Sequence, residues 1–191
     1  MKLSISVMAH PSREKYFGYL KEQLGDVPFS IDTKSIGVWP NCKRAWQLHD
    51  PSADYHVVIQ DDAILCENFI EKAIEVLEKN KHRGTAFSFF YGTRQDWVEE
   101  GKKGMQDGFV IRKNLKWGVA VCLPVSKINY MIAHADTMTI KQDDTRIGRF
   151  LQFIDMRVYY PMPSLVEHRG DEESLVGDVK GRRAFKFIDD K

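Results

Sequence analysis

Strand-forming runs alternate with helix-period segments along most of this chain, and that alternation leaves few folds open. Residues 3–8 are β-forming and end at His10-Pro11-Ser12-Arg13. Tyr16, Phe17, Leu20 and Leu24 then recur at helical spacing, and Gly25 suits the end of that helix. Residues 29–32 make a second short strand, and Asn41 is placed to cap a helix carrying Ala45, Trp46 and Leu48. The run 55–65, YHVVIQDDAIL, reads as a third strand. A helix follows, with Phe69, Ile70, Ala73, Ile74 and Leu77 on one face. Residues 85–90, 109–112, 117–123 and 157–160 read as further strands, and 126–135 and 144–153 as helices. The stretch 92–108 is polar and bounded by glycine, the pattern of a mobile loop around a short helix. The expectation is an α/β fold whose sheet is covered on both faces. Ligands of such sheets bind beyond the carboxyl ends of the strands.

Composition narrows the function classes. A chain of 191 residues suits one domain with a sizeable core. The net charge of +1 gives no global field to recruit nucleic acid or membrane. Cys42, Cys66 and Cys122 are far apart and odd in number, which fits free thiols in a reducing compartment. The first residues lack the apolar core and cleavage site of a signal peptide, and no apolar run approaches membrane-spanning length. The expectation is a cytoplasmic domain without membrane insertion.

Three polar clusters fall along one rim of the expected sheet: His10 to Arg13 after strand one, Asp32 after strand two, and Asp61-Asp62 within the third run. Two adjacent carboxylates at the edge of a core need something positive nearby, because burying an unpaired charge is costly. Capping of the next helix is a poor explanation, since Ala63-Ile64-Leu65 intervenes. A salt bridge to an arginine is a second explanation. A hard divalent cation is a third, favoured because perturbed carboxylates at strand ends cluster at functional sites. A second pair, Asp143-Asp144, suits both a helix cap and catalysis, one residue for each role. In YYPMPSLVEHRG, residues 159–170, the prolines hold the chain extended and deliver Glu167, His168 and Arg169 together. Of the four tryptophans, Trp46 reads as core, and Trp97, in the polar loop, reads as an exposed acceptor contact. Gly101 and Gly104 suit that loop to act as a lid.

Taken in order, MAHPSR, WPNCKRAW, VVIQDDAIL, WGVAVCLP, QDDTRIG, PSLVEHRGDEESLVG and GRRAFKFI resemble a small glycosyltransferase of the GT-A type, of the compact kind found in phage and bacterial genomes. The resemblance implies a single GT-A-like, Rossmann-like domain over residues 1–191, a mixed sheet flanked by helices, with 178–191 as a tail closing over the donor. It implies transfer of a sugar from a nucleoside-diphosphate sugar to an acceptor hydroxyl, with Mn²⁺ or Mg²⁺ as cofactor. The family's acidic motif falls on Gln60-Asp61-Asp62, with Gln60 in place of the first acidic residue. Asp62 and His168 then correspond to the metal ligands, and Asp61 stays among the nucleotide contacts with His10, Arg13, Asp32 and Arg44. Asp143-Asp144 corresponds to the catalytic pair, with Asp144 as general base in an inverting enzyme. In a retaining enzyme Asp144 has another task. Arg182 and Arg183 either fold over the diphosphate or form a solvated basic tail.

The acceptor stays open among glycan, protein and modified phage DNA; for DNA, Arg94, Lys102, Lys103, Arg112, Lys113 and Lys116 would supply a local basic face. Two alternatives come from other classes. One is a metal-dependent phosphoryl-transfer enzyme with both carboxylate pairs in a two-metal site. The other is a non-catalytic nucleotide-binding or virion-associated domain, which has no need of Asp144.

Overall fold

A computed structural model describes residues 1–81, 84–170 and 181–189. In chain order it contains β1 (Leu3–Ala9), α1 (Phe17–Leu24), β2 (Phe29–Ile31), α2 (Val38–Gln47), β3 (Tyr55–Gln60), β4 (Ala63–Leu65), α3 (Phe69–Asn80) and β5 (Ala86–Ser88). There follow α4 (Val98–Asp107), β6 (Phe109–Arg112), β7 (Ala120–Pro124), α5 (Val125–Asp136), α6 (Asp143–Phe153), β8 (Val158–Pro161) and β9 (Val166–His168). Short 3₁₀ helices cover Pro11–Tyr16 and Gln95–Trp97. No helix among the described residues is long and apolar enough to cross a membrane.

The fold is mixed α/β and Rossmann-like. Seven strands lie in the order β2-β1-β3-β7-β5-β8-β6. β1 is parallel to β2 and β3, and β5 is parallel to β8. β7 runs antiparallel between β3 and β5, and β6 runs antiparallel at the far edge. The period of two along each strand sorts side chains into two cores. Val57, Cys122, Phe87 and Tyr159 join Leu20 of α1 and Leu77 of α3 on one face. Val58, Val121, Ala86 and Tyr160 join Trp46 of α2, Ile128 of α5 and Phe150 of α6 on the other. Cys42, Cys66 and Cys122 are buried and unbridged.

Three expectations are corrected. The run 55–65 is two strands, because the chain leaves the main sheet at Asp61-Asp62 and pairs β4 antiparallel with β9. Asn41 lies inside α2, whose N-cap is Gly37; its amide donates to the Ala9 carbonyl at 2.9 Å, and its own oxygen accepts from the Ser30 hydroxyl at 2.8 Å. Pro40 is tolerated because it falls in the first turn, where its missing N–H has no helical partner to lose.

The stretch 92–108, expected as a mobile loop around a short helix, is largely the ten-residue helix α4. Its glycines are close-approach positions rather than hinges. A Cβ at Gly101 would stand 3.0 Å from the Phe185 ring, and one at Gly104 would strike Val110. Residues 181–189 of the expected tail are docked on the rest of the chain. Phe185 N–H donates to the Tyr91 carbonyl at 2.7 Å, Ser164 N–H donates to that of Lys186 at 2.8 Å, and Phe187 is buried. The remainder of the expected tail, 178–180 and 190–191, lies outside the described residues.

Candidate functional site

The parallel strands β1 and β3 end side by side, and their exits are tied together by Asp61. Its carboxylate accepts the His10 N–H at 2.7 Å and the Arg13 guanidinium at 3.0 Å. Arg13 reaches this point because His10 caps a tight 3₁₀ turn, its Nδ1 accepting from Ser12 N–H, so the chain folds back within three residues. The same Arg13 Nη1 lies 2.6 Å from Asp62 Oδ2. The positive partner demanded by the two carboxylates is therefore Arg13, buried with them. Burial raises the Asp61 carboxyl despite the His10 and Arg13 contacts. Burial also acts to raise Asp62, but the hydrogen bond and charge of His168, joined by Arg13, hold it below the usual range.

His168 arrives through β9. The β4–β9 ladder pairs Ala63 with His168, so its Nε2 lies 3.2 Å from Asp62 Oδ2. The backbone repeats the tie, with Arg169 N–H donating to the Asp62 carbonyl at 3.0 Å. Glu167 fixes this corner. One carboxylate oxygen accepts from His168 N–H at 2.6 Å and Ala184 N–H at 2.8 Å, which anchors the C-terminal segment beside β9.

The reversed strand β7 starts where β3 ends, so the residues leading into it reach the same rim. Asp143 and Asp144 face them from the first turn of α6. Gln142 occupies the N-cap without a side-chain bond, so neither Asp is the cap. Asp144 Oδ2 accepts the Trp117 N–H at 3.1 Å. Asp143 is buried and takes a hydrogen bond from the Cys42 thiol of α2. Burial, then the Asp144 charge, pushes Asp143 up to about 6. A Cβ on Gly118 would stand 3.1 Å from the Gln60 amide and 3.2 Å from Asp143 Oδ2, so that glycine leaves the floor open between the two strands' exits.

These groups line one cavity of about 320 Å³. His10, Arg13, Asp32, Asp61, Asp62, Asp143, Asp144, His168 and Arg182 all border it. Arg182 brings a buried Nε with no hydrogen-bond partner among the described residues. Two expected contacts lie elsewhere. Arg44 is exposed and donates to the Ile31 carbonyl and Asn41 Oδ1, each at 3.0 Å. Arg183 is exposed, with Nη1 3.5 Å from the His168 carbonyl.

Asp32 borders the cavity but is committed to the fold, accepting Ile36 N–H at 2.8 Å and Gly37 N–H at 3.1 Å. Trp97 is 2 % exposed, packed on Tyr91 and Trp117 with Arg112 over its ring, so it is core rather than acceptor contact. The basic face is partly neutralised, with Arg94 paired to Asp96, Lys102 to Glu99 and Arg112 to Glu100. Sequence reasoning missed Gln142 and the Ser35–Gly37 turn as lining residues. The turn's signal was present, since Asp32 and Gly37 flank a short polar stretch ahead of a helix.

Among the described residues no group of three or more His, Cys, Asp and Glu side chains is set to hold a metal ion. Two buried donor atoms, Asp62 Oδ1 and His168 Nδ1, do lack a hydrogen-bond partner among them. A carboxylate and an imidazole are ligand types that a divalent cation accepts, with phosphate oxygens and water as further ligands.

No protein-family model and no curated protein matches this chain. Among solved structures, A197 from STIV shares the fold with a TM-score of 0.55 at 14% identity, over 96% of this chain and 94% of that one. A protein described as a glucose-1-phosphate thymidylyltransferase from Bacillus anthracis, solved in complex with sucrose, has a TM-score of 0.48 at 13% identity, over 87% of this chain and 89% of that one. The first is a likeness of fold across nearly the whole of both chains; the second is looser.

Proposed function

We propose that this chain is a glycosyltransferase, acting as one domain, that moves a sugar from a nucleoside-diphosphate sugar to an acceptor hydroxyl. The observation that carries the reading is the meeting, in one cavity at the carboxyl ends of β1 and β3, of a cation-facing carboxylate pair with a second carboxylate pair on α6. The two pairs differ in environment, as the chemistry requires. Asp61 and Asp62 face Arg13 and His168, two carboxylates sharing one guanidinium, a side suited to a cation that carries the leaving diphosphate. Asp143 and Asp144 carry no arginine or lysine partner among the described contacts, a basic side suited to a hydroxyl.

Asp62 and His168 would hold the divalent cation, which as a Lewis acid offsets charge on the departing diphosphate. Arg182, whose buried Nε has no hydrogen-bond partner among the described residues, adds positive charge beside that diphosphate. Asp144, reachable from the cavity and oriented by Trp117 N–H, takes the proton of the acceptor hydroxyl. The acceptor oxygen then bonds the anomeric carbon, and the bond from that carbon to the phosphate oxygen breaks with its electron pair. Asp143, with its carboxyl pushed up to about 6 by burial and then by the Asp144 charge, lies beside that base.

The test is release of nucleoside diphosphate from a panel of nucleotide sugars by the full chain. Loss of a general base predicts a fall on the order of 10²–10⁴-fold in Asp144→Asn. Equal release by wild type and Asp144→Asn would overturn the assignment. Phosphodiester turnover with no sugar donor consumed would favour the phosphoryl-transfer enzyme instead.

A further inference from the structure

Trp117 has φ +61°, a left-handed backbone that a bulky side chain rarely adopts. A glycine stands at the very next position, 118, yet the strained conformation falls on the tryptophan. Strain of this kind persists only where the surroundings over-determine it. Here the ring does so. A Cβ on Gly92 would stand 2.6–2.9 Å from three atoms of the Trp117 ring, so the ring fills space that only glycine leaves. Phe90 meets the ring edge-on at 5.8 Å and Trp97 at 5.2 Å, which closes the slot.

The backbone consequence is felt at the site. With the ring seated, Trp117 N–H points at Asp144 Oδ2, 3.1 Å away. The other oxygen of that carboxylate accepts from the Thr145 hydroxyl at 3.2 Å. The left-handed φ lets the ring enter the slot while the N–H of the same residue stays turned to Asp144.

We propose that Trp117 is a positioning residue, whose wedged ring holds a strained turn so that its N–H orients the Asp144 carboxylate toward the reacting hydroxyl. This rests on Asp144 as the general base, and the experiment separates the two ideas. Aspartate ¹³Cγ NMR follows titration of the Asp143–Asp144 pair in the full chain, with no substrate present. Asp143 is faced by the Cys42 thiol of α2 and by Asp144, and its carboxyl is raised to about 6 chiefly by burial and then by Asp144. Removing a donor from a carboxylate makes it easier to protonate.

Gly92→Ala, which displaces the ring, and Trp117→Ala, which deletes it, are expected to make the Asp144 carboxylate protonate at higher pH than in the unsubstituted chain. Trp117→Phe, which refills the slot, should restore the wild-type midpoint. In turnover, the first two should lose on the order of tenfold to hundredfold in kcat with the donor KM near wild type, and the acid limb of the pH profile should move with the NMR midpoint. A protein that folds with either substitution and titrates as wild type would overturn the proposal. Trp117→Gly guards against misfolding, because glycine adopts this φ without strain. A wild-type midpoint in Trp117→Gly would also refute the ring's role. Inactivity of the wild-type chain would sink the glycosyltransferase reading, while the NMR titration would still decide the role of Trp117.

Discussion

At the scale of residues, burial makes two groups report on pH with opposite sign. Asp143 has its carboxyl raised to about 6 by burial and by Asp144, so its contribution to stability is complete below the ordinary value of 3.8 and is lost as pH rises through 6. His56, buried between Ser4 and Ser6, has its imidazole lowered to about 4 by burial. Its contribution is complete above 6.5 and is lost as pH falls through 4. Denaturant titrations from pH 4 to 8 should therefore show Asp143→Asn gaining on wild type as pH rises, by roughly 1–3 kcal/mol at pH 8. A constant difference across that range would contradict an ionised, buried Asp143. The need for a positive partner at Asp61-Asp62 was legible, because two adjacent charges in an apolar run have few ways to be stable. The identity of Arg13 as that partner was not, since it depends on the turn capped by His10, and one residue of difference there would aim the guanidinium elsewhere.

At the scale of elements, composition misled where packing decides. The stretch 92–108 looks like a loop because glycine and charge dominate it, yet α4 packs closely through those glycines. Alanine is the better helix former by about 1 kcal/mol, so an exposed Gly104 would gain from substitution. Here the new methyl would meet the Val110 side chain and stand 3.2 Å from the Phe109 carbonyl. Gly104→Ala should instead lose roughly 1–3 kcal/mol in urea denaturation; an unchanged or higher midpoint would show that α4 can shift away from β6. β9 shows the reverse situation. PSLVEHRG was readable as an extended segment carrying His168, but its partner was not. Ala63-Ile64-Leu65 reads in sequence as the end of the third strand, and only the departure of β4 from the main sheet brings His168 opposite Ala63.

At the scale of the whole molecule, the alternating pattern and the two-faced burial were legible because a sheet covered by helices on both sides needs apolar residues at successive strand positions. The strand order was not. The reversal of β7 between β3 and β5 is a long-range pairing with no local signature, and it carries Trp117 and Gly118 to the rim beside Asp61. The cavity is thus a product of topology, assembled from strand exits, a reversed strand's lead-in, the start of α6 and a docked C-terminal segment. In the proposed function the Asp62 side of this cavity receives a nucleoside diphosphate with a divalent cation. The most direct test is thermal unfolding of wild type and Asp62→Ala against a panel of nucleoside diphosphates and nucleotide sugars, with and without Mn²⁺. At a hundredfold excess over the dissociation constant, binding to the native state adds about 2.7 kcal/mol. A Mn²⁺-dependent rise in melting temperature is expected for one nucleotide family in wild type and is expected to be absent in Asp62→Ala. No rise with any nucleotide, or an equal rise in Asp62→Ala, would contradict this reading.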